Sequence, residues 1–122
     1  MPSEARPVIV NIAEVLWEEP PAHYGGAHSK MLVRPEVTGA RRLDYRISSY
    51  QPRAYVASHA HKVQEQIDHV LEGEGLMEMG DQRRVVRRHD VIFIPPGTQH
   101  AIHNTGLVDL VFLVITSPPD DA

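Results

Sequence analysis

Residues 59–75 read HAHKVQEQIDHVLEGEG, in which a pair of histidines is followed by a short strand-like run and two glycines. His59 and His61 are two positions apart, so on a β-strand both imidazoles point to the same face. Gln66, and His100 further along the chain, are the natural third and fourth ligands. Three imidazoles and an oxygen donor that converge from different strands would bind a first-row transition metal.

Short apolar or alternating runs recur along the chain between Gly, Pro, Asp and Asn, which is typical of an all-β sandwich or barrel. MGDQ, residues 79–82, predicts a hairpin turn, and residues 13–18 could form one helical turn. LVFLVI, residues 110–115, is apolar throughout, so we expect this strand to be covered on both faces, by the protein itself or by another subunit. Strands are predicted at residues 8–12, 31–33, 42–49, 55–61, 67–72, 76–79, 83–86, 91–94, 100–103 and 110–116.

A second segment, residues 89–104, reads HDVIFIPPGTQHAIHN. The two segments together resemble the two motifs of the cupins, a superfamily of small jelly-roll (double-stranded β-helix) β-barrels. The matching positions are His59, His61, residue 66 and Gly73 in the first motif, and Pro95, Gly97, His100 and Asn104 in the second. The resemblance extends over roughly residues 50–116. It implies an all-β jelly roll that binds one divalent transition metal ion through His59, His61, His100 and Gln66.

Three positions depart from the cupin pattern. Arg53 and His89 stand where the family has turn glycines, which supply a positive φ, so we expect a different turn or local strain there. Gln66 replaces the metal-binding glutamate, as in some cupins that resemble the pectin-degradation protein acting on unsaturated uronate rings. A neutral amide leaves the ion its full charge, so metal affinity should fall and Lewis acidity should rise. The ligand set favours Zn, Ni, Mn, Fe or Cu over Ca and Mg.

Two further residues are candidates for a catalytic role. Asp68 shares strand parity with Gln66 and should therefore face the site, either as a general base or in an ion pair with Arg46 or a loop arginine. Tyr55 has the parity of His59, so it would line the pocket or lie in the core with its hydroxyl at the rim. His23, beside a Tyr-Gly-Gly loop, would be a surface residue or part of a lid over the barrel mouth.

The composition limits the class of protein. With 122 residues the chain forms one domain with its own core, and its net charge of −4 argues against a nucleic-acid surface. The absence of cysteine excludes disulfides and thiolate ligands. The first ten residues, MPSEARPVIV, match neither a secretory signal nor a membrane span, so we expect a cytoplasmic protein. We predict an N-terminal arm over residues 1–34 whose strands pair with a partner in a homodimer, a barrel over residues 35–117 and a flexible tail over residues 118–122.

These features support two main hypotheses on function. The first is a metal-dependent enzyme of isomerase, lyase or dioxygenase type that acts on a carbonyl- or carboxylate-bearing small molecule. The second is a non-catalytic cupin that binds or senses a small ligand in the same cavity. The open coordination positions and Asp68 favour the enzyme, whereas the altered ligand set favours the binding protein. Fold by itself does not decide between them.

Overall fold

Two five-stranded antiparallel sheets face each other in the computed structural model, which describes residues 4–121. The strands are β1 His23–Tyr24, β2 Ala27–Val33, β3 Asp44–Tyr50, β4 Tyr55–Val56, β5 Glu65–Glu72, β6 Glu74–Met79, β7 Gln82–Arg87, β8 Val91–Ile94, β9 His100–Asn104 and β10 Leu110–Ser117. The first sheet has the order β2-β3-β10-β5-β8, and the second has the order β1-β4-β9-β6-β7. The predicted all-β jelly-roll fold is confirmed.

The core lies between the sheets because each strand alternates between an inner and an outer face. On β10 the residues Leu110, Phe112 and Val114 are buried, while those between them are half-buried. Tyr50 of β3 packs its ring edge-on against Phe112, with ring centroids 5.0 Å apart. The prediction that β10 is covered on both faces therefore holds fully for one face and in part for the other.

Two predicted strands differ in the structure. The run over residues 55–61 pairs as a strand only at Tyr55–Val56, after which the chain continues as a loop that returns to the sheet at His59. The run over residues 8–12 has the composition of a strand, but the structure places its residues on the surface without strand pairing. A strand needs the backbone of a neighbour, and an apolar pattern does not specify one. The predicted helical turn is present as a 3₁₀ helix at Ile12–Glu14, and a short α-helix spans Pro35–Thr38.

Tight turns join the strands at the positions where the sequence places them. Gly80 has φ +56° in the hairpin between β6 and β7. Arg53 and His89 have φ +77° and +73°, so both turns keep the left-handed backbone that a glycine would adopt without strain. Asn104 fixes the loop before β10, because its side-chain N–H groups donate to the carbonyls of Tyr50 and Val108.

The two ends of the chain lie on the barrel. Strand β2, which the sequence assigns to the N-terminal arm, pairs with β3 of the same chain. At the other end, in the segment predicted to be a flexible tail, Asp121 accepts hydrogen bonds from the loop after His61. Neither helix within residues 4–121 is long and apolar enough to cross a membrane.

Candidate metal centre

Three histidines converge at one end of the space between the sheets. One ligand nitrogen from each of His59, His61 and His100 lies within 4.8 Å of the other two. A pair of backbone hydrogen bonds holds the first and the last together, His59 N to His100 O at 3.0 Å and His100 N to His59 O at 2.8 Å. The structure therefore brings together the three histidines that the sequence selects, although two of them lie on a loop and not on a continuous strand.

The ring orientations of two of these histidines suit a metal ion. Nδ1 of His59 donates to the carbonyl of Ala57 at 2.7 Å, and Nδ1 of His100 donates to the carbonyl of Thr98 at 2.8 Å. Because a carbonyl oxygen can only accept, the hydrogen is on Nδ1 and the Nε2 lone pair is free to coordinate. Nε2 of His100 is buried and has no hydrogen-bond partner in the described part of the chain. Burial lowers the pKa of His100 to about 4, which keeps its ring neutral.

Gln66 lies beside the cluster, where the sequence places the fourth ligand. Its Oε1 is 3.0 Å from Nε2 of His61, and its Nε2 donates to Oδ1 of Asp68 at 2.9 Å. The amide oxygen is thus close to the cluster, and the amide nitrogen is directed at the neighbouring acid. Residues of the cluster and its surroundings fit a divalent ion, because neutral imidazoles with one amide oxygen are ordinary ligands of first-row transition metals.

Asp68 is the most deeply buried acid of the cavity, with 2% of its surface exposed. Burial raises the pKa of Asp68 to about 7, and the hydrogen bond from Gln66 opposes that shift. Arg46, the ion-pair partner considered for it, is bound instead to Asp44, through Nε–Oδ1 at 2.9 Å and Nη2–Oδ2 at 2.8 Å. The pairing register places Val114 of β10 between Arg46 and Asp68. No ion pair joins Asp68 to another residue within 4–121.

The cluster opens into a cavity of about 160 Å³ between the sheets. This volume is comparable with an engineered cavity of ~150 Å³ that admits benzene. Apolar side chains such as Met77, Ile102 and Phe112 form part of its wall, and Arg46 and Tyr50 of β3 are among the polar residues. The sequence analysis did not identify most of these polar wall residues, although the alternation of Arg46, Ser48 and Tyr50 on β3 was a signal for them.

His23 is one of the cavity residues. Its ring packs edge-on against Tyr50 with centroids 5.9 Å apart, and its Nδ1 donates to the carbonyl of Pro21 at 2.8 Å. Burial lowers the pKa of His23, and the nearby positive charge of Arg46 acts in the same direction. The structure thus places His23 in the wall of the cavity, whereas the sequence left open a surface residue or part of a lid.

Tyr55 lies outside the cavity, which corrects the prediction from strand parity. The side chain is 37% exposed and stacks on His103 across the outer face of the second sheet, with centroids 5.4 Å apart and an interplanar angle of 18°. Its neighbour Val56 lines the cavity instead. Parity counted back from His59 fails because the chain leaves the strand after Val56, and alternation does not continue through a loop.

Comparison with known proteins identifies the family. The Cupin domain family model matches residues 46–116. A segment of 61 residues, 50% of this chain and 49% of the relative, is 43% identical to an uncharacterized protein of Methanocaldococcus jannaschii. A segment of 64 residues, 52% of this chain and 53% of the relative, is 34% identical to an oxalate-binding protein of Thermotoga maritima. The chain thus spans about half the length of these curated relatives.

A solved structure extends the similarity to most of the chain. It is that of a predicted oxalate decarboxylase from Thermotoga maritima, with a TM-score of 0.81 and 25% sequence identity. The match covers 90% of this chain and 98% of that one. Since the family model covers more than half of the chain and the fold agrees over nearly all of it, this protein belongs to the cupin family.

Proposed function

We propose that this cupin is a metal-dependent enzyme of isomerase, lyase or dioxygenase type that acts on a carbonyl- or carboxylate-bearing small molecule. One divalent transition metal ion, Zn, Ni, Mn, Fe or Cu, would be held by His59, His61, His100 and Gln66. The observation that carries the proposal is the buried Nε2 of His100, which has no partner within the described residues and faces two further imidazoles. A buried nitrogen in this state is costly unless a ligand binds it.

The charges of the cavity favour an anionic substrate. Asp44 neutralises Arg46, and the imidazoles and the amide are neutral ligands, so among the residues that line the cavity only Asp68 offsets the charge of a bound cation. Nη1 of Arg46 has no hydrogen-bond partner among the described residues and is available to a ligand oxyanion. The names of two relatives, an oxalate-binding protein and a predicted oxalate decarboxylase, support a small carboxylate as the ligand class.

Each chain residue then has a defined task. When bound, the metal ion supplies Lewis acidity that polarises a carboxylate or carbonyl oxygen. Arg46, fixed by Asp44, orients the anion, and the apolar wall around Met77 excludes water. Asp68 accepts a proton on its carboxylate, because its raised pKa of about 7 is close to neutral pH. The hydrogen bond from Gln66 holds the carboxylate in place.

The test begins with elemental analysis of protein purified without chelator. We expect about one transition metal ion per chain, and its loss in the double variant His59→Ala/His61→Ala. The loaded protein is then assayed with small carboxylates, oxalate first. Asp68→Asn should keep the metal but lower turnover by roughly 10²–10⁴-fold, as expected for a removed general base. Asp81→Asn, which removes an exposed carboxylate at the β6–β7 turn, is the matched control and should not change turnover.

The alternative function is a non-catalytic binding protein. It is favoured by the name of the oxalate-binding relative, which describes binding and no reaction. Tight binding of a small carboxylate that requires metal, with no turnover of any carboxylate or carbonyl compound, would establish this alternative. Metal retained at one ion per chain in the double histidine variant would contradict the assignment of His59 and His61 as ligands.

A further inference from the structure

The loop after His61 is held by a carboxylate from the far end of the chain. Asp121 Oδ2 accepts a hydrogen bond from the backbone N–H of Lys62 at 2.7 Å. Its Oδ1 accepts from the N–H groups of Val63 and Gln64 at 2.8 and 3.1 Å. Three successive N–H groups that converge on one anion form a strong anchor, since hydrogen bonds to a charged acceptor exceed neutral ones.

Beyond His61 this loop has few other constraints. It connects β4 with β5 and carries two of the three clustered histidines, yet His59 is its only residue in a β-bridge. On one side, the carbonyl of His61 accepts the N–H of Gly97 at 2.7 Å. On the other, the contacts come from the C-terminal segment, because Gln64 Nε2 also donates to the carbonyl of Pro118 at 3.0 Å. Removing the carboxylate would return three backbone donors to water and free the loop.

The ring of His61 lies beside the same carboxylate. His59 and His100 each donate from Nδ1 to a carbonyl two residues earlier, whereas Nδ1 of His61 is 3.9 Å from Asp121 Oδ2. Nε2 of His61 donates to Gln66 Oε1 at 3.0 Å, because an amide oxygen can only accept. Coordination of a metal ion through Nε2 would require the hydrogen to be on Nδ1, the side on which the anion of Asp121 lies.

From these contacts we infer that Asp121 is a positioning residue of the metal centre, because it holds the loop that carries His61 and places an anion on the Nδ1 side of its ring. The inference rests on the proposed metal site. According to this inference, the C-terminal segment raises the affinity of the centre for metal through Asp121. The contacts join residues 57 to 59 positions apart in the sequence, so a change at the end of the chain would act directly on the centre.

The test compares the parent chain with Asp121→Ala in two measurements. Titration of the metal-free proteins with Zn²⁺ and Ni²⁺ should give a Kd higher by about 10–100-fold in the variant, the usual effect of losing a residue that orients a ligand. Hydrogen exchange of the metal-free proteins should show the Val63 and Gln64 amides exchanging at least about tenfold faster. Asp81→Asn, which also removes one exposed carboxylate, should match the parent throughout.

Each outcome is decisive. A Kd within about twofold of the parent would overturn the inference, as would a raised Kd with unchanged exchange of the loop amides, since the effect would then act by another route. If the parent itself binds no metal, the proposed function fails. Exchange of the loop amides then decides separately whether Asp121 holds the loop.

Discussion

Gln66 joins the histidine cluster to the buried acid of the cavity. Its amide oxygen lies beside His61 and its amide nitrogen donates to Asp68, so both ends of one side chain are engaged. A glutamate could not donate to Asp68, and its carboxylate would repel that acid. Glutamine at position 66 therefore gives Asp68 a hydrogen-bond donor, which glutamate could not provide. In exchange, the metal site has a neutral ligand where glutamate would supply an anionic one.

Replacing Gln66 by glutamate should tighten metal binding. The change adds an anionic oxygen beside the cluster, and we expect Kd to fall by at least about tenfold, or ~1.4 kcal/mol. Titration calorimetry of the metal-free variant and parent measures this. Glu65→Gln, on the outer face of the same strand, is the control and should leave Kd unchanged. An unchanged affinity in Gln66→Glu would show that residue 66 does not coordinate the ion.

Asp68 should make the metal-free protein less stable as the pH rises from about 4 to about 7. Burial raises its pKa from 3.8 to about 7, so across this range the folded state retains a proton that the unfolded state has lost. The stabilisation that the protonated carboxyl group of Asp68 provides is complete at low pH. It decreases as the pH rises above 3.8 and is lost once the pH passes about 7. Asp68→Asn keeps the acceptor for Gln66 without the ionisation.

Urea denaturation of the parent and of Asp68→Asn at several pH values measures the effect. The unfolding free energy of the variant minus that of the parent should increase as the pH rises from 4 to 7. It should not change further above that range. A constant difference at every pH would mean that the carboxyl group titrates as it does in the unfolded chain.

At the scale of the element, the turns determine how closely the strands approach. Gly73 has φ +78°, and a Cβ on it would lie 2.4 Å from the carbonyl oxygen of Asp109, so a larger residue would force the β5–β6 turn away from β10. Two further left-handed turn positions are filled by residues with a side chain, Arg53 and His89. Backbone hydrogen bonds hold both, Arg53 N to Asn104 O at 3.0 Å and His89 N to Val70 O at 2.9 Å.

His89→Gly should stabilise the protein by about 1 kcal/mol. A non-glycine residue in the left-handed region costs roughly 1–2 kcal/mol, and the greater flexibility of the unfolded glycine chain cancels part of the gain. The variant keeps the N–H that bonds to Val70. Urea denaturation measures the change. Arg88→Gly, the adjacent turn residue without a positive φ, should destabilise instead, and a loss of stability in both variants would contradict the prediction.

At the scale of the whole molecule, apolar side chains are exposed on the outer face of the first sheet and along the N-terminal arm. On the outer face of the first sheet, Ile67, Val91 and Phe93 are 39, 62 and 51% exposed. On the arm, Ile9 and Leu16 have fully or mostly exposed side chains. Contiguous apolar surface of this kind is uncommon on monomers and is covered in oligomers.

We predict that the protein is a homodimer in which the arm contributes to the interface. Light scattering at tens of micromolar should give twice the mass of the chain, because the unpaired residues 8–10 can extend a neighbour's sheet. Ile9→Asp should weaken the dimer. Leu107→Asp, at an equally exposed apolar residue in the β9–β10 loop, should not. A parent of monomer mass would exclude the dimer.

The sequence by itself determined the fold class and the three histidines of the candidate metal centre. A period of two assigns strands with one buried face, and the resemblance of the segments around His59 and His100 to the two cupin motifs identifies the histidines that the fold brings together. The turn positions of Arg53 and His89 were also predictable, because a left-handed turn imposes its backbone on any residue placed there.

Tertiary structure decided which other residues surround the centre. Tyr55 left the cavity because the chain departs from the strand after Val56, so that parity no longer relates it to His59. His23 entered the cavity through the pairing of β1 with β4. Asp121 reached the His61 loop from 57 to 59 residues away. Such contacts follow the path of the whole chain, and the energy that selects it comes from packing between distant elements, which no local pattern contains.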